Sequence, residues 1–62
     1  MIKLKEARKR AGKTQTEIAE ILSTTQYQYH KYETGKQELP IRHLITLCKY
    51  YNVTADWMLD LK

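Results

Sequence analysis

Apolar positions recur every three or four residues in five short runs along this chain, with glycine, serine, proline or asparagine between them. Leu4, Ala7, Arg8 and Ala11 share one face of a helix that starts near Ile2 and stops at Gly12, where glycine can turn left-handed. A second helix carries Ile18, Ala19, Ile21 and Leu22 on its apolar face and stops at Ser23. Thr14-Gln15-Thr16-Glu17 opens it as a capping box: the Thr14 hydroxyl takes the amide three residues on, and Glu17 reaches back. Thr25 can cap a third helix that runs to Thr34 and ends at Gly35. Pro40 suits the first position of a fourth helix, where its missing amide would be unpaired anyway. The stripe of this helix is Ile41, Leu44, Ile45, Leu47, Cys48 and Tyr51, and Asn52 can end it. Thr54 and Asp56 then open a last short helix bearing Trp57, Met58 and Leu61. No run alternates as a strand would, and connections of roughly two to six residues fit a compact bundle. The expectation is an all-α, five-helix domain occupying residues 1–62.

The stretch "TTQYQYHKYETG", residues 24–35, is too aromatic for an idle surface and too polar for a core. On a helical wheel Tyr29 and Tyr32 fall with Thr25 on one side and point inward. Tyr27, His30 and Lys31 fall on the other side, with Gln26 and Gln28 on the flanks. Amides and lysine can pair with base edges in a major groove, and a tyrosine hydroxyl can reach a phosphate or a base. The same pattern would also suit a polar face turned to solvent. What precedes it favours the first reading: helix, a tight turn at Ser23-Thr24, then helix. Ala19, in the middle of the first of the two, is small enough for the second to cross it closely.

Composition narrows the class. A chain of 62 residues this short buries only about 60% of its unfolded surface, so its core is small. Cys48 is its one cysteine, which excludes an intramolecular disulfide, and His30, His43 and Cys48 lack metal-ligand spacing. Neither a metal nor a cofactor is expected. No apolar run approaches the roughly 20 residues of a membrane span, and no leader-like pattern opens the chain. The expected location is cytoplasmic, with no membrane partner and no small-molecule ligand evident. No paired carboxylates, phosphate-cradling glycine loop or histidine with triad partners suggests catalysis. Net charge is +4, and the first 13 residues carry six basic side chains against Glu6 alone, leaving −1 for the remainder. That asymmetry suits a phosphate-rich partner, although a solvated helix face would show it too.

"TQTEIAEILSTTQYQYHKYETGK" resembles the lambda-repressor-like (Cro and phage repressor) helix-turn-helix family, over Leu4 to Leu59. The residues carrying the resemblance are the opening "TQ", Ala19, Leu22, the apolar position at Tyr29, "YETGK" and the closing "NVTADWML". It implies that helix 25–33 enters the major groove of double-stranded DNA, with Gln26, Tyr27 and Lys31 reading bases. Gln15 would bind a phosphate and brace Gln26, and Lys36 would contact a phosphate. Gln28 and His30 would lie nearer the backbone. Arg8 and Glu33 match the family's mostly buried ion pair, which ties the first helix to the recognition helix. The sequence departs from the family at Ser23, where glycine is usual, at Lys13, a usually apolar site, and at Tyr27, an unusual base reader. With only Met1 and Ile2 before the first helix, no basic arm is expected to wrap the duplex.

The function implied is a sequence-specific transcriptional regulator, acting as a repressor. The alternative is a protein-interaction or antitoxin-like module on the same scaffold, since outward tyrosines also suit protein interfaces. A homodimer is expected, because one such domain covers about half a site. Trp57, Met58, Leu59 and Leu61 are more apolar surface than so small a domain should bury, which makes them candidates for its interface.

Overall fold

Helix boundaries in the computed structural model, which describes residues 2–60, follow local side-chain chemistry. The elements are α1 (Leu4–Arg10), α2 (Gln15–Ile21), α3 (Gln26–Thr34), α4 (Ile41–Tyr51) and α5 (Ala55–Met58). Thr14, Thr25 and Thr54 cap α2, α3 and α5, each hydroxyl accepting an amide three residues on. At α2 the box is complete: Glu17 N–H donates to Thr14 Oγ1 at 3.1 Å, and Thr14 N–H donates to Glu17 Oε1 at 2.9 Å. The backbone hydrogen bond from Thr14 holds the Glu17 carboxyl below its ordinary range. Pro40 lies one residue outside α4, as its N-cap, and Ile2 and Lys3 lie outside α1.

A left-handed residue follows every helix: Gly12, Ser23, Gly35, Asn52 and Asp60, with φ between 57° and 78°. After each of the first four, the next amide reaches back to a carbonyl five residues earlier, as in Lys13 to Arg8 and Val53 to Cys48. These bonds satisfy carbonyls that the helix ends would leave open. Ser23, at φ 57°, holds this conformation against the clash of its own Cβ.

Leu4, Ala7, Ile18, Ala19, Leu22, Tyr29, Tyr32, Leu47 and Met58 form the buried core, with Ile2, Leu39, Leu44, Cys48, Tyr51, Val53 and Trp57 around it. α2 and α3 make the most extensive helix pairing, and Ala19, 1% exposed, belongs to the core. Tyr29 and Tyr32 point inward and meet edge-to-face with centroids 6.4 Å apart. Before α1, Lys3 N–H donates to the Met58 carbonyl at 2.7 Å, joining the amino-terminal segment to α5.

Three expected core isoleucines face solvent instead, as does Ala11 at the end of α1. Ile21 is 36% exposed, Ile45 50% and Ile41 73%. α4 is rotated so that Leu47 is buried, Leu44, Cys48 and Tyr51 are half-buried, and the His43 ring packs on Tyr32 at 6.0 Å between centroids. Burial beside Arg42 lowers the pKa of His43 below its ordinary value. Met58 is corrected in the other direction: it is fully buried, so it fills the core and is unavailable as an interface residue.

Candidate nucleic-acid interface

An ion pair fixes α3 to α1. Arg8 Nε donates to Glu33 Oε2 at 2.7 Å and Nη2 to Oε1 at 3.3 Å, while Nη1 reaches the Lys13 carbonyl at 3.0 Å. The side chains are 12% and 3% exposed, so water screens the pair little. The Glu33 hydrogen bond, against the cost of burial, raises the pKa of Arg8. Burial alone would raise that of Glu33, but the hydrogen bonds from Arg8 and Gln15 outweigh it and hold the carboxyl below its ordinary range. The Tyr29 and Tyr51 hydroxyls are enclosed beside this pair without a hydrogen-bond partner among the described residues. Burial raises the pKa of both, that of Tyr51 to about 12.

From this anchor a chain of amides leads outward. Gln15, at the start of α2, donates through Nε2 to Glu33 Oε1 at 3.1 Å and approaches His30 Nδ1 at 3.2 Å. Its Oε1 accepts from Gln26 Nε2 at 2.6 Å. Gln15 is therefore held from both ends, and Gln26, at the exposed beginning of α3, is oriented by it. On the same outward side Tyr27 is 69% exposed, with the Lys31 ammonium 4.4 Å from its ring centroid. This contact favours cation over ring face and aligns the two side chains along one turn of α3.

Gln28 lies to one side, its Nε2 donating to Gln37 Oε1 at 2.6 Å. That bond bridges α3 to the segment before α4. His30 and Lys36 are exposed, and Lys36 N–H closes the end of α3 on the Lys31 carbonyl. Gln26, Tyr27, His30 and Lys31 thus share the outward surface of α3, with Gln15 beside Gln26 and Lys36 past the helix end. Sequence reasoning missed Gln37 altogether, and it missed the contact of Gln15 with His30. The i, i+3 spacing of His30 and Glu33 was a signal that both could meet one side chain of α2. The Tyr27–Lys31 contact was likewise open to reading from its i, i+4 spacing.

α5 offers less surface than expected. Trp57 is half-buried, with Lys3 Nζ 4.9 Å and the Arg10 guanidinium 5.3 Å from its ring. Leu59 is also half-buried, whereas Leu61 lies outside the described residues. No helix among the described residues is long and apolar enough to cross a membrane. Among the same residues no cluster of histidine, cysteine or acidic side chains could hold a metal ion.

A search of curated proteins gives no match to the chain. Among family models, one described as a helix-turn-helix domain matches residues 2–62. Two crossed helices joined by a tight turn, with polar side chains displayed along the second, match that description, and the chain belongs to the helix-turn-helix domain family.

Proposed function

We propose that this chain is a lambda-repressor-like transcriptional regulator that binds specific DNA sequences and represses, as one domain over residues 1–62. The observation that carries this reading is the outward surface of α3. Gln26, Tyr27 and Lys31 stand exposed or half-exposed on a helix braced by the Arg8–Glu33 pair and by Gln15. α3 enters the major groove, where Gln26, Tyr27 and Lys31 meet base edges. Gln15, Gln28, His30 and Lys36 lie toward the sugar-phosphate backbone, and the basic amino-terminal segment adds attraction. The protein acts in the cytoplasm without cofactor or catalysis. It works as a homodimer, each copy taking half of a symmetric site. Half-exposed Trp57 and Leu59 and outward Ile41 and Ile45 supply apolar surface for pairing.

Mobility-shift titration at several salt concentrations tests the reading. About five phosphate contacts give a log–log slope of affinity against salt near −4 to −5. Absence of binding to any duplex at about 50 mM salt would end it. Tyr27 at 69% exposure also suits a protein partner, the antitoxin-like alternative. Capture of a partner that survives nuclease treatment would favour that alternative.

A further inference from the structure

We propose that His30 is a positioning residue for base recognition: its neutral Nδ1 holds the Gln15 amide, and through it Gln26, in one orientation that protonation of His30 releases. The inference rests on the DNA-binding reading above and extends it to control by pH. The orientation follows from hydrogen-bond chemistry alone. Glu33, kept ionised by Arg8, can only accept, so the Gln15 group 3.1 Å from its Oε1 must be the amide nitrogen. The same nitrogen lies 3.2 Å from His30 Nδ1, which must therefore be the unprotonated ring nitrogen, with the proton on Nε2. The Gln15 oxygen is left to face Gln26 at 2.6 Å, which forces the Gln26 nitrogen inward. Gln26 then shows a duplex its carbonyl oxygen and one remaining N–H.

Protonation places an Nδ1–H against the Gln15 amide nitrogen, donor facing donor. Either the ring swings away or Gln15 turns over, and turning removes its bond to Glu33 and presents Gln26 with the wrong group. The new positive charge meanwhile strengthens attraction to any phosphate. Acid thus trades selectivity for general affinity. On its own helix Glu33 shares the Gln15 amide with His30, and Glu33 is in turn paired with Arg8 from α1. α2 presents the neutral Gln15, its Glu17 being engaged by Thr14. α4 meets α3 through His43 on Tyr32.

Two measurements test the proposal. In the free protein, long-range proton–nitrogen NMR should find the neutral His30 ring protonated at Nε2. The side-chain amide signals of Gln15 and Gln26 should then move with the titration of His30 and stay fixed in His30→Asn, whose side-chain oxygen accepts at every pH. A ring protonated at Nδ1, or glutamine signals indifferent to His30, would overturn the proposal whether or not DNA binds. In the second measurement, affinities for the selected duplex and for one altered at the base facing Gln26 are compared at about pH 7.5 and pH 5.5. The wild-type ratio should fall about fivefold or more, while His30→Asn should keep its ratio at both. An unchanged wild-type ratio, or an equal fall in His30→Asn, would overturn it. NMR behaviour as expected with no binding to any duplex would instead sink the regulator reading and leave the amide lock intact.

Discussion

Arg8 and Glu33 carry more of this small protein than their number suggests. Losing either partner leaves a charge that is 3–12% exposed without its counter-ion. Arg8→Ala should destabilise by about 3 kcal/mol or more, a large share of what a core of this size supplies, and urea titration would show it. The acid limb of stability follows the direction of the Glu33 shift. Its folded pKa lies below the ordinary 4.5, so its contribution is complete above that value and is lost as pH falls through the lower folded value. Glu33→Gln should flatten this part of the stability–pH curve as well as lowering it, as circular dichroism in acid titration would report. On the outward side, Lys31 and Lys36 separate selectivity from attraction. Lys31→Ala removes the ammonium over Tyr27 and should blur base preference, whereas Lys36→Ala should weaken all duplexes alike. Selection from randomised DNA distinguishes them, and unchanged preferred motifs in both variants would refute the division.

At the scale of the element, the helix ends were the most legible part of the sequence. Thr14, Thr25 and Thr54 announce starts, and Gly12, Gly35 and Asn52 announce stops, because each acts within one turn and needs no tertiary partner. Ser23 stands in the same conformation without glycine's freedom. Ser23→Gly should therefore stabilise by about 0.5–1 kcal/mol and raise the melting temperature by about 2–8 °C, read by thermal denaturation. No gain would mean that Ser23 lies there without strain. The inward direction of Tyr29 and Tyr32 was also legible, since nine residues of α3 give a wheel two full turns. The rotation of α4 was not. Its apolar stripe is wider than the surface α3 and α5 offer it, so Ile41 and Ile45 stay outside while His43 goes against Tyr32. A helix four residues long is harder still: periodicity within one turn does not rank Met58 above Trp57 for the core. The candidate site divides the same way. The outward side chains of α3 could be read from one helix, whereas the Gln15, His30 and Glu33 junction depends on how α2 crosses α3.

Across the whole molecule, recognition of a symmetric site asks for two copies. Light scattering at micromolar concentration should find a dimer, alone or on DNA, and a monomer under both conditions would remove the homodimer from the proposal. Ile41→Lys should weaken association without disturbing the fold, because that side chain is 73% exposed. The hydrogen bond from Lys3 to the Met58 carbonyl has a reach of its own. It fastens the residue just before α1 to the end of α5, so the first and last helices stand or fall together. Deuterium should replace the Lys3 amide proton as slowly as those of the interior, rather than at the pace of a frayed tail. A cut after Asn52 would unbuckle α1 too, leaving no folded remnant to dock on anything.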